Sequence, residues 1–152
     1  MAASLRVFLD SNVVLSAFFS DRGAPSRIFD VLAARLPPLH PLIGEYNLIE
    51  IERNLGKRLP EARPLVRALI EKLGFEIIPL PGLSAVSQWI PAVAPKDAPV
   101  IASAVAGKTS VLVTGDKKDL LGLEDDRLAF PILSPTVFLD SFLPRFLAAW
   151  KK

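Results

Sequence analysis

Four acidic residues stand where an apolar run stops or a helix begins: Asp10, Glu50, Asp97 and Asp116, with Asp119 three residues further on. Carboxylates brought together repel one another, so a cluster of them either takes up protons or holds cations. Oxygen donors without thiolate or imidazole suit hard cations, Mg²⁺ or Mn²⁺. Such ions activate water and neutralise a phosphodiester under in-line attack. Each residue alone has a plainer explanation. Asp10 and Asp97 can cap helices, Glu50 sits between Glu45 and Glu52 on what could be a solvated helix face, and Asp119 could be structural. The joint expectation depends on all of them reaching one place. The chain has no cysteine and one histidine, His40. That excludes disulfide scaffolds, thiolate zinc sites, a cysteine nucleophile and multi-histidine metal sites.

The elements that would position these acids follow from the apolar pattern. Short runs at 5–9, 39–43, 75–78, 110–113 and 130–133 are expected as strands. Pro41 points to an edge or distorted second strand. Helical periodicity or capping predicts helices over 12–19, 25–35, 45–57, 65–73, 84–89, 97–106, 118–121 and 134–150. Gly74 stands at the usual position past the end of a helix, and Pro144 is expected to kink or end the last one near Leu143. Alternation of strands and helices implies βαβ units with right-handed crossovers. The fold class expected is α/β: a parallel sheet of four or five strands with helices on both faces. Reactive groups then lie at the carboxyl ends of the strands. Asp10 follows a strand directly, and Asp116 follows one after a two-residue turn. Asp97 opens a helix that runs back toward a strand's amino end, and Glu50 lies in the first turns after the second strand. All four map to the same edge.

The 152 residues fit a single domain, 1–152, and are 51% hydrophobic and 22% charged, which excludes disorder and leaves a sizeable core. A net charge of +2 is weak grounds for a polyanionic partner. The opening residues do not resemble a signal peptide and no apolar run is long enough to span a membrane, so a cytoplasmic location is expected.

The ordered stretches Val7-Phe8-Leu9-Asp10-Ser11-Asn12-Val13, Leu48-Ile49-Glu50-Ile51-Glu52-Arg53-Asn54-Leu55, Lys96-Asp97-Ala98-Pro99-Val100-Ile101-Ala102-Ser103-Ala104 and Leu112-Val113-Thr114-Gly115-Asp116-Lys117-Lys118-Asp119-Leu120 resemble the PIN-domain nucleases, including the VapC-like toxins of toxin–antitoxin pairs. With Leu133-Ser134-Pro135 the resemblance covers nearly the whole chain. It implies a single PIN-like domain and a divalent-metal-dependent endoribonuclease that hydrolyses RNA phosphodiesters. Asp10, Glu50, Asp97 and Asp116 would be the catalytic, metal-binding acids for Mg²⁺ or Mn²⁺, with Asp119 a further candidate ligand. Asn12 and Thr114 match polar positions that orient the acids. The family often has Thr-Asn-Asp where this chain has Thr114-Gly115-Asp116, and glycine can make the same turn. The resemblance also implies RNA as substrate, an antitoxin protein as partner, and a homodimer.

The residues also bear on two other functions. A haloacid-dehalogenase-like phosphatase would use Asp10 as nucleophile and needs an acid two residues on, where this chain has Asn12. A PIN-like module without activity, binding nucleic acid or a partner, would have little reason to keep four acids. Gly107-Lys108-Thr109 resembles the end of a P-loop but runs helix to strand, the wrong order. His40, Trp89 and Trp150 are expected to be structural. Arg53, Lys57, Lys96 and Lys117 are the candidate RNA-binding cations, against the plainer expectation of a solvated surface. The basic excess over 53–72 shrinks once Glu45, Glu50 and Glu52 are counted. Phe138, Leu139, Phe142, Leu143, Phe146, Leu147 and Trp150 form an apolar stripe that either packs on the chain's own sheet or meets a second copy.

Overall fold

The five apolar runs pair into one parallel sheet in the computed structural model, which describes residues 4–116 and 118–150. The strands are β1 (Leu5–Leu9), β2 (Leu39–Gly44), β3 (Glu76–Ile78), β4 (Val111–Val113) and β5 (Ile132–Leu133), in the order β3-β2-β1-β4-β5. The chain builds outward from β1 to β3, then returns to lay β4 on the other side of β1. This reversal puts a topological switch point between β1 and β4, where α/β sheets open a crevice at their carboxyl edge.

Alternation along each strand divides the core. Val7, Leu9, Ile43, Val111 and Val113 face the layer formed by α1 (Ser11–Phe19), α2 (Ala24–Ala33), α3 (Glu45–Arg58), α4 (Leu65–Lys72) and the C-terminal helices. Phe8, Leu42 and Leu112 face α5 (Leu83–Ser87) and α6 (Ala98–Ala106). Helices thus cover both faces, as expected. Gly74 ends α4 at φ +76°, and its N–H and that of Phe75 bond back to Glu71 and Ile70. A side chain is strained in that conformation, which explains the glycine.

Three local expectations need correction. Pro41 does not put β2 at the edge: β2 lies between β1 and β3, with Pro41 opposite Val7. The β3 ladder starts only at Leu42, so β2 has no partner on that side at Pro41. Residues 118–121 form no helix. The Asp116 carboxylate takes the Lys118 and Asp119 N–H groups at 3.1 and 3.0 Å, and the following residues stay in turns. The last helix is interrupted but does not end at Pro144. α7 (Pro135–Val137) passes through a π-helical turn, Phe138–Phe142, into α8 (Leu143–Trp150). Proline lacks the N–H of the regular ladder and crowds the preceding turn, and the wider turn before it accommodates that. The side chain of Ser134 caps this segment, accepting from the Val137 N–H at 3.1 Å.

Candidate active site

β1 occupies the centre of the sheet, so the residue after it stands at the middle of the carboxyl edge. That residue is Asp10, which is only 6% exposed and opens α1. Its Oδ1 accepts from the Ser11 N–H at 2.8 Å and from Asn47 Nδ2 at 3.1 Å. Its Oδ2 accepts from Thr114 Oγ1 at 2.8 Å. A hydroxyl has one proton to give, and Thr114 gives it to Asp10. The same oxygen then accepts from the Asp116 N–H at 3.0 Å and Asn12 Nδ2 at 3.4 Å. Asn12 Oδ1 takes the Gly115 N–H at 2.9 Å, which fixes the turn after β4. Thr114 and Asn12 thus hold the ends of β1 and β4 in one polar network.

A second relay reaches α3. Asn47 is fully buried, and its other Nδ2 proton goes to Ser11 Oγ at 2.9 Å. Ser11 Oγ in turn donates to Glu50 Oε1 at 2.8 Å. The close approach depends on Gly44, because a Cβ there would stand 2.7 Å from Asn47 Oδ1. Ser11 and Asn47 were not singled out from the sequence. A signal was present: Asn47 is one helical step before Glu50, and Ser11 follows Asp10 directly.

Asp97 stands at the N-cap of α6, yet its side chain makes no capping bond. Both of its oxygens face Lys96 Nζ, at 3.3 and 3.1 Å. The same ammonium lies 2.8 Å from Asp119 Oδ2 and 3.8 Å from Asp116 Oδ2. Oxygens of Asp97, Asp116 and Asp119 all lie within 4.8 Å of one another. Asp10, Glu50, Asp97 and Asp116 line one cleft of about 260 Å³, together with Lys96 and Asn54. The Oδ1 of Asn54 is buried with no hydrogen-bond partner among the described residues.

The electrostatics are uneven across this cleft. Burial pushes Asp10 up to about 6, with Glu50 and Asp97 adding repulsion, against the lowering bonds from Thr114 and Ser11. Burial also raises Glu50 and Asp97 above the ordinary carboxylate range. Asp119, half-buried at the rim, is lowered by its bond to Lys96. Among the described residues no cation forms an ion pair with Asp10 or Glu50, and only the more distant charges of Arg53 and Lys96 oppose that of Glu50. Oxygen-only donors in that state fit a hard divalent ion.

Other expected contacts divide differently. Arg53 borders a separate hollow with Glu52, Gly56 and Arg63, although its charge still acts on Glu50. Lys57 is exposed on α3. Lys117 lies outside the described residues. Arg67, in the basic stretch, is tied to Glu45 and Glu52 at 3.1 and 2.9 Å. His40 pairs with Glu76 at 2.9 Å, and Trp89 is 3% exposed; both are structural, as expected.

A family model described as the PIN domain matches residues 6–118. The chain belongs to the PIN-domain family. PIN domains are a nuclease family, hydrolases acting on nucleic acids. The fold is similar to that of VapBC2 from Rickettsia felis, solved bound to a DNA fragment from its promoter, with 18% identity and a TM-score of 0.56 over 85% of this chain and 97% of that one. It is also similar to DNA-bound VapBC from Salmonella typhimurium, with 17% identity and a TM-score of 0.63 over 86% and 98%. PAE2754 from Pyrobaculum aerophilum gives 19% identity and a TM-score of 0.56 over 95% and 90%. No curated protein sequence matches the chain. Among the described residues, no helix is long and apolar enough to cross a membrane.

Proposed function

We propose that this PIN domain is a divalent-metal-dependent endoribonuclease, hydrolysing RNA phosphodiesters as the toxin of a toxin–antitoxin pair. The observation that carries this is the convergence of Asp10, Glu50, Asp97 and Asp116 on one cleft at the β1–β4 switch point. Asp10, Glu50, Asp97 and Asp116 would hold Mg²⁺ or Mn²⁺, with Asp119 beside them. The ion supplies an activated water and neutralises charge on the phosphate.

The chain's own residues do the rest. Asn47, Thr114 and the Ser11 N–H hold Asp10 in one orientation, so its oxygens need no reorganisation when a cation enters. Ser11 does the same for Glu50. Lys96, 63% exposed in its side chain, can swing from the acids to a phosphate oxygen without leaving the cleft. Asn12 is committed to the Gly115 turn and is no proton donor of the kind a phosphatase with an aspartyl nucleophile needs. An antitoxin partner is proposed from the VapBC complexes among the similar folds, and a homodimer from the apolar C-terminal face.

The test is cleavage of single-stranded and structured RNA with Mg²⁺ or Mn²⁺, beside Asp10→Asn and Asp97→Asn. Wild type should cut and both variants should lose at least two orders of magnitude. Equal cutting by all three would indicate a contaminant and end the proposal. A melting temperature that rises with Mn²⁺ in wild type, without RNA cleavage, would favour a different nucleic-acid substrate.

A further inference from the structure

Two helix faces continue the acid cleft away from the sheet. On α1 they are Asn12, Leu15, Ser16 and Phe19, at steps of three and four. On α3 they are Glu50, Asn54 and Arg58, at steps of four. A second hollow of about 410 Å³, bordered by Phe19 and Arg58, shares Asn12 and Leu15 with the acid cleft. The two hollows therefore form one groove that starts at the carboxylates. Asn12 to Phe19 spans seven residues, roughly 10 Å along the helix, within reach of a short stretch of single strand.

At the far end, the Arg58 guanidinium carbon lies 4.2 Å from the centre of the Phe19 ring. Phe19 is 38% exposed. Arg67 and Arg127 each have a carboxylate partner, but among the described residues none pairs with Arg58. A charge at the end of α3 does complement the helix dipole, but that needs no aromatic beneath it. The cation–π contact with Phe19 holds the guanidinium in place, and among the described residues no carboxylate occupies its N–H groups, which can take a phosphate while its outer side takes a base.

We propose that the Arg58–Phe19 pair is a nucleotide-binding subsite, on which a base of single-stranded nucleic acid stacks while a phosphodiester further along the same strand lies at the acid cleft. This rests on the nuclease function proposed above and names the form of its substrate. Stacking on such a platform accepts any base, because every base has a π-face. Duplex bases are already stacked and cannot use it.

The experiment measures binding by fluorescence anisotropy of labelled single-stranded RNA, the matching duplex and single-stranded DNA, with the full chain in chelator so that nothing is cut. Arg58→Ala and Phe19→Leu should each weaken single-strand binding about tenfold, in the lower half of the range for one stacked base. Together they should cost little more than either alone, because they form one platform. Arg58→Lys should keep the salt dependence but not the affinity. Cleavage by Arg58→Ala should show a raised KM with kcat little changed. Both side chains are at the surface, and unchanged melting temperatures would confirm that the variants fold. The same loss with single-stranded DNA supports the platform, since stacking does not read the sugar. Variant affinities within twofold of wild type would overturn this subsite alone, as would full rescue by Arg58→Lys. Failure of wild type to bind any nucleic acid would overturn the nuclease function as well.

Discussion

Thr114 Oγ1 lies 2.8 Å from Asp10 Oδ2, and this one bond joins the residues that follow two neighbouring parallel strands. It also favours the ionised form of a carboxylate that burial pushes the other way. Replacing Thr114 with Val keeps the shape and removes the proton. The Asp10 pKa should then rise beyond about 6. A metal site needs the ionised carboxylate, so the acid limb of the cleavage profile should move to higher pH and Mn²⁺ affinity should fall by about 10- to 100-fold. The pH–rate profile and a calorimetric Mn²⁺ titration check this, and an unmoved acid limb would assign Thr114 to turn geometry alone.

Asp10 also sets a stability trend. Its folded pKa, about 6, lies above the ordinary value of 3.8, so the unfolded chain releases this proton first as pH rises. Between those values the folded state binds more protons, and stability falls with increasing pH. The contribution is fully present below the lower value and lost above the upper one. Without metal, Asp10→Asn should therefore be the more stable protein at pH 7, by up to about 3 kcal/mol. Added Mn²⁺ should reverse the order, because only wild type gains from binding. Thermal melts at pH 4.5 and 7, with and without Mn²⁺, give all the needed comparisons.

The acids were legible in the sequence because strand ends and helix starts can be read from apolar runs, and a parallel sheet sends both to one edge. The supporting network was not. Nothing in the spacing says that Ser11 turns toward Glu50, or that a fully buried Asn47 divides its two protons between Asp10 and Ser11. Those depend on how α1 and α3 pack together, and on Gly44, which leaves room for the Asn47 side chain and for Ser103 of α6. Arg53 illustrates the opposite error. Three residues from Glu50 is a helical neighbour on paper, yet the next residue, Asn54, faces the cleft and Arg53 borders a different hollow. Pro41 shows that a residue rule applies to a position in the ladder and not to a whole strand, since β2 gains its second partner just one residue later.

Lys96 holds the other half of the cluster, within 3.8 Å of Asp97, Asp116 and Asp119. Lys96→Ala should have two effects of opposite sign. Mn²⁺ should bind more tightly, because a competing ammonium is gone. RNA should bind more weakly, with a salt dependence shallower by about one unit, because a phosphate contact is lost. The Asp119 carboxylate, lowered by its bond to Lys96, should titrate higher in the variant by NMR. Tighter metal binding with unchanged RNA affinity would leave Lys96 as a counter-charge only.

The C-terminal stripe packs in part on the chain itself. Phe138 and Leu143 are buried, and Leu139, Phe142, Phe146 and Leu147 lie against the core. What stays open is a shallow apolar hollow of about 480 Å³ bordered by Leu133, Val137, Phe142 and Phe146, with Val137 46% exposed. The inner half of the stripe thus closes the core, and its outer half borders the open hollow. Such a patch on so small a domain favours association, and a twofold pair would bury the same hollow on both chains. The expected outcome is a dimer mass by light scattering at micromolar concentration. Val137→Glu should reduce that mass to a monomer while leaving the melting temperature of the monomer and its Mn²⁺ affinity unchanged, because Val137 lies outside both the core and the acid cleft. A wild-type monomer would refute the dimer without touching the nuclease chemistry. A dimer that survives the glutamate would place its interface elsewhere.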